Sequence, residues 1–150
     1  MSTSPPESAA ELKTRALRLL ARREHSRDEL ARKLSPHAES TEILEGLLRE
    51  LESRKQLSNE RFAEVRARQL ARKYGAARIR QDLKSKGIQE DFIDRVSGEG
   101  DIERAHGILK RKYREPATTR EERARRARFL QSRGFSYDVI RKALGDVDSS

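Results

Sequence analysis

Leucine, isoleucine, phenylalanine and alanine recur along this chain at intervals of three and four, with charged residues between them. That spacing predicts amphipathic helices. The first runs from Glu11 to Arg23, with Leu12, Ala16, Leu19 and Leu20 facing inward. Ser26 can cap a second carrying Leu30 and Leu34, with Glu29 in the capping-box position, and Ser35-Pro36-His37 breaks it. A third begins near Ser40 or Thr41 and carries Ile43, Leu44, Leu47, Leu48 and Leu51. Ser58 or Asn59 opens a fourth, with Phe62, Ala63, Ala67, Leu70 and Tyr74 on its inner face and Gly75 at its end. A fifth holds Ala76, Ile79 and Leu83 and stops at Gly87; a short sixth spans Gln89 to Val96. After a Ser97–Gly100 link, Asp101 can cap a seventh with Ile102, Ala105, Leu109 and Tyr113 inward. Pro116 to Thr119 turns the chain into an eighth, about Thr119 to Arg133, which Gly134 ends. Ser136 caps a ninth holding Val139, Ile140, Ala143 and Leu144. No stretch alternates as a strand would.

Internal copying sorts these nine helices into three groups of three. Leu83-Lys84-Ser85-Lys86-Gly87-Ile88 returns 47 residues later as Leu130-Gln131-Ser132-Arg133-Gly134-Phe135, and Asp91-Phe92-Ile93 answers to Asp138-Val139-Ile140. Leu70-Ala71-Arg72-Lys73-Tyr74 is echoed by Leu109-Lys110-Arg111-Lys112-Tyr113. The expected fold is all-α: three tandem three-helix repeats stacked into an elongated or curved array. Their expected bounds are 11–57, 58–97 and 98–145, between a flexible tail at 1–10 and a second tail at 146–150.

Charge adds the next constraint. Of 150 residues, 34% are hydrophobic and 39% charged, and the formal net charge is +9. Thin stacked units, each burying little area, suit that composition better than one large core. The stretch Arg104–Arg133 holds eleven basic residues against Glu115, Glu121 and Glu122, so most of the chain's positive excess sits there. Such a surface attracts a polyanion or an acidic protein. The aromatic residues have packing explanations, so bare-DNA affinity is expected to be electrostatic and weakly sequence-selective.

Catalytic chemistry finds no motif. Without cysteine there is no thiolate nucleophile and no thiolate metal site. His25, His37 and His106 have no ligand spacing, so no metal is expected. Neither a GxSxG elbow nor a GxxxxGK[ST] phosphate loop occurs. The expectation is no enzyme, no catalytic residue and no cofactor. No apolar run approaches a membrane span, and the Ser/Pro-rich start lacks an apolar signal core, so a soluble cytoplasmic protein without a membrane partner is expected.

Two blocks carry a family resemblance. One runs from Leu57-Ser58 through Phe62-Ala63, Arg68 and Gly75 to Ile79-Arg80-Gln81-Asp82-Leu83-Lys84-Ser85-Lys86-Gly87-Ile88. The other is Arg128-Phe129-Leu130-Gln131-Ser132-Arg133-Gly134-Phe135-Ser136, followed by Asp138-Val139-Ile140. Together they resemble the RecX family, bacterial regulators of the RecA recombinase, over residues 11 to 145. Ser58-Asn59 stands where members commonly carry an acidic pair. The resemblance implies a non-enzymatic modulator, usually inhibitory. It would lie in the helical groove of a RecA filament on DNA and restrain ATP hydrolysis, strand exchange and LexA self-cleavage. A monomer is expected. Charge density and repeat position select Arg111, Arg114, Arg123, Arg126 and Arg133 for filament or DNA contact, with Lys73, Lys84 and Lys86 behind them. The competing expectation is an independent basic regulator binding duplex DNA.

Overall fold

The computed structural model describes residues 5–98 and 100–145. The expected tail at 146–150 and the first four residues of the one at 1–10 lie outside that range. Among the described residues there are nine α-helices: α1 (Ala9–Arg22), α2 (Arg27–Leu34), α3 (Thr41–Ser53), α4 (Asn59–Ala71), α5 (Ala76–Ser85), α6 (Glu90–Ser97), α7 (Asp101–Lys112), α8 (Arg120–Ser132) and α9 (Tyr137–Leu144). Ser35–His37 forms one 3-10 turn after α2. The order is three tandem three-helix repeats, as expected. Their described residues fall into two compact units, one within Met1–Val65 and Lys86–Ile88, the other within Arg66–Ser85 and Gln89–Ser150.

Helices this short are marginal alone, so their ends matter. Serine and threonine supply most of the caps. Ser26 accepts the Glu29 N–H while Glu29 reaches back to the Ser26 N–H. Ser8 and Glu11 make the same box at α1, which therefore starts two residues before the expected Glu11. Glu7 just before it donates its N–H to the His37 carbonyl at 2.9 Å. These contacts organise part of the segment expected to be a tail. Ser40, Ser58, Thr119 and Ser136 cap α3, α4, α8 and α9.

In the first unit α1, α2 and α3 close on a leucine core: Leu12, Leu30, Leu34, Leu44, Leu47, Leu48, Leu51 and Leu57 are buried with Ala16. Each buried leucine contributes about 1.5–3 kcal/mol of transfer free energy. His25 is also buried. Its Nδ1 lies 3.1 Å from the Arg23 carbonyl and its Nε2 2.9 Å from Lys33 Nζ. With Nδ1–H donating to the carbonyl, Nε2 accepts from the ammonium, and the ring is neutral. Burial is the main cause that pushes its pKa below the ordinary value.

In the second unit α5 packs on α6, and α9 packs on both α7 and α8. Ala105, Ile108, Leu130, Phe135 and Ile140 form the buried cluster of the last three helices. Ile108 takes the place expected for Leu109, which is half-buried with Ile102. Arg66 grips the Asp82 carboxylate with two bonds of 3.0 Å, tying α4 to α5.

The same joint links successive repeats twice. Asn59, the first residue of α4, accepts the N–H of Arg27, which opens α2, at 2.8 Å. Asp101, the first residue of α7, accepts the N–H of Ala76, which opens α5, at 3.1 Å. Asp101 was expected to cap α7 itself; Gly100 holds that position, and the carboxylate serves the neighbouring repeat instead. Asn59 likewise leaves the cap of α4 to Ser58, and its amide oxygen is an acceptor where an acidic side chain would also be one. Glycine completes each joint. Gly87 (φ 78°) presses on Asp28 of α2, and Gly134 (φ 91°) sits where a Cβ would fall 2.6 Å from that of Arg78 on α5. Both need the left-handed conformation, as expected. Gly75 does not end α4, which stops at Ala71. A Cβ there would meet the Gly134 carbonyl and the Phe135 ring at 2.7 Å, so the requirement is space.

Gly75→Ala should therefore lower the unfolding free energy by roughly 1–3 kcal/mol through overpacking. Gly46→Ala, within α3 and with nothing within 4 Å of its new methyl, should raise it by up to about 1 kcal/mol. Urea denaturation of both variants measures the difference. Because His25 titrates lower in the fold than in the unfolded chain, the unfolded chain takes up the proton first on acidification. Stability is full above about pH 6.5 and falls as pH drops from there toward the folded value. Melting temperature followed from pH 7.5 to 5.5 should show that slope, and His25→Gln should flatten it.

Candidate polyanion interface

The third repeat and the turn before α5 bring three aromatic rings and four cations of the second unit into one chain of contacts. Tyr113, just past α7, meets Phe129 of α8 edge to face, with centroids 6.5 Å apart and planes at 86°. Arg126 lies over Tyr113 at 4.2 Å. Lys112 lies 3.9 Å from the Phe129 centroid. Arg133 stands 5.1 Å from Phe129 and 5.5 Å from Tyr74, and Arg78 covers the other ring contact of Tyr74 at 4.9 Å. Each such contact contributes about 0.5–1 kcal/mol at an exposed site. The ring quadrupoles thus let like charges gather without a carboxylate between them.

Local acids do not neutralise this group. Glu122, on the first turn of α8, is held by the Thr118 N–H at 2.8 Å and by the Thr119 cap. The Thr118 N–H is the main cause that keeps its pKa below the usual carboxylate range, and the Arg126 charge adds to it. Among the described residues, none of Lys112, Arg126 and Arg133 forms an ion pair. In the first unit, by contrast, Arg27 pairs with Glu45 and Glu52, Arg23 with Glu29, and Lys13 with Glu50.

Of the eight residues selected from sequence, the seven in the second unit do not share one face. Arg126 and Arg133 stand on the aromatic chain. Arg111 donates to the Arg72 carbonyl at 2.8 Å, which ties it to the turn that carries Lys73 and Tyr74. Arg114, Lys73 and Lys84 are exposed, while Lys86 is half-buried and belongs to the first unit. Arg123 turns to another face of α8 and donates to the Gly145 carbonyl. The selection missed Lys112 and Arg78, and the three rings were given only packing roles. Part of this was readable, since Arg126, Phe129 and Arg133 fall at i, i+3 and i+7 on one helix face. The approach of Tyr74 and Tyr113 to that face depends on tertiary packing.

The face bearing Arg123 borders a groove between α8 and α9 of about 1010 Å³. Arg120, Arg123 and Arg128 line its α8 side, with Ala124 and Ala127 between them; Phe135, Ile140 and Leu144 form apolar walls. Tyr137 at its edge is 81% exposed. Among the described residues, no group of His, Cys, Asp and Glu could hold a metal ion, and no helix is long and apolar enough to cross a membrane.

Fold and site together define a tandem three-helix-repeat protein with a basic, aromatic-supported surface and no catalytic constellation among its described residues. Models of the first, second and third three-helix domains of RecX match residues 13–44, 58–96 and 99–144. The chain belongs to the RecX family. It is 41% identical to "Regulatory protein RecX" of Ralstonia nicotianae over 96% of this chain and 92% of that one. It is 44% identical to the protein of the same name from Herbaspirillum seropedicae, over 93% and 92%. A crystal structure of regulatory protein RecX superposes with a TM-score of 0.72 at 26% identity, covering 87% of this chain and 70% of that one. The fold also matches RecX from Lactobacillus salivarius, with a TM-score of 0.77 at 18% identity over 91% and 94%.

Leu130 is fully buried behind the aromatic chain. Leu130→Ala should cost about 2–5 kcal/mol of stability by urea denaturation.

Proposed function

We propose that this chain is a non-enzymatic regulator of RecA that acts by binding the recombinase filament on DNA. The regulatory role toward RecA follows from family membership. The finer reading is that the chain lies in the filament groove and restrains ATP hydrolysis, strand exchange and LexA co-cleavage in the cytoplasm. The observation that carries it is the cation–aromatic chain from Arg126 to Arg78. Its side chains are ordered before any partner arrives, so less rotamer freedom is lost on binding. Guanidinium groups held this way suit phosphate oxygens or filament carboxylates, and exposure to solvent makes the attraction salt-sensitive. A monomer with several repeats can touch successive filament protomers, and multi-point contact slows subunit exchange without any bond being made or broken by this chain.

The test is RecA-dependent ATP hydrolysis on single-stranded DNA during titration with this protein, with anisotropy of labelled DNA following filament retention. Inhibition should set in at levels too low to coat the DNA. Arg126→Glu with Arg133→Glu should retain helicity and raise the half-inhibitory concentration by about tenfold or more, because two attractive contacts become repulsive. Unchanged inhibition by the double variant at moderate salt would remove this surface from the interface. Inhibition that disappears on adding excess DNA would favour an independent duplex-DNA regulator.

A further inference from the structure

The groove between α8 and α9 lies on the face of α8 next to the aromatic chain and shares none of its four cations. Its chemistry also differs. Small side chains at Ala124 and Ala127 leave space that Phe135, Ile140 and Leu144 border with carbon. Phe135 and Ile140 are already buried in the repeat core, so this wall is rigid. Tyr137, the one large hydrophobic residue exposed among the described residues, stands at the mouth.

The rim carries one sign of charge. Arg120, Arg123 and Arg128 border the α8 side, and Arg141 borders the α9 side. None of the three α8 arginines forms an ion pair among the described residues; Arg141 bonds Asp138 at 2.9 Å. No carboxylate lines the groove. A nucleic-acid backbone, being charged and polar, would gain from the arginines and not from the apolar wall. An amphipathic helix gains from both, with apolar residues at i, i+3, i+4 and i+7 entering the groove and carboxylates at its flanks meeting the guanidinium groups.

We infer that the α8–α9 groove is a docking site for an acidic amphipathic helical segment of a partner protein. The arginines select the sign of the partner's flanks, and the space beside Ala124 and Ala127 selects its apolar face. The site is separate from the polyanion surface, so one chain could hold a polyanion and an acidic peptide at once.

The probe is a fluorescein-labelled helical peptide of about 14 residues, with Leu at i, i+3, i+4 and i+7 and Glu elsewhere. It is titrated with the full chain by anisotropy. Saturable binding should weaken at least about tenfold with Arg120→Gln plus Arg128→Gln, and separately with Tyr137→Ser, both at exposed positions. Amide shifts in 15N spectra should map to α8 and α9. A peptide with Ala in place of Leu, and one with Lys in place of Glu, should fail to bind. Equal binding by the Ala peptide would overturn the proposal, since charge alone would then suffice. So would unchanged binding by both variants, no binding of the Leu peptide, or shifts elsewhere. Displacement of the peptide by a short DNA duplex that shifts the same amides would reassign the groove to nucleic acid. Sedimentation showing a dimer that Tyr137→Ser dissolves would reassign it to a second copy; either result sinks the inference.

Discussion

The second and third repeats each begin with a side chain that completes the start of the middle helix of the repeat before, and the stacking depends on that constraint. An α-helix leaves its first N–H groups without partners. In α2 and α5 the very first of these is accepted from the next repeat, by Asn59 and by Asp101. Both donors are partly buried, and a fully buried one left unsatisfied would cost about 1–3 kcal/mol, so the joint favours the alignment in which the acceptor arrives. Gly87 and Gly134 then bring the next turn against the same helix ends, where any Cβ would collide. Polar satisfaction and close approach act together at both joints. The apolar cores behind them could be filled in more than one register; the acceptor and the glycine could not.

Charge in this molecule is handled in two ways. In the first unit Lys13, Arg23 and Arg27 make ion pairs that join α1, α2 and α3. In the third repeat the acids are too few for that, and aromatic rings take their place. Cation–π contact holds a guanidinium without neutralising it, so its charge stays available to a partner. That distinction separates Arg126 and Arg133 from Arg27, although all three are arginines on or just past a short helix. The helix α8 divides its charge further, since Arg123 and Arg128 border an apolar groove while Arg126 stands on a ring. One helix of thirteen residues therefore offers two chemically different surfaces.

Much of the fold is determined locally and was readable in the order of residues. Serine before a charged first turn, leucine at helical intervals and glycine at the left-handed turns act within a few residues of themselves. They set the nine helices of the described residues and their grouping into three repeats, and the motif spacing carried the family. Where the reading of sequence went astray, a distant partner had redirected a local signal. Asp101 looks like a cap for its own helix and serves another 25 residues earlier. Gly75 looks like a helix stop and is a point of contact with Gly134. The density of positive charge between Arg104 and Arg133 was equally plain, but not its division. Which cation meets a ring, which meets a carboxylate and which borders the groove depends on how α8 is rotated against α7 and α9. Burial of Leu130 and Ile108 sets that rotation, and burial is a property of the packed chain rather than of any one helix.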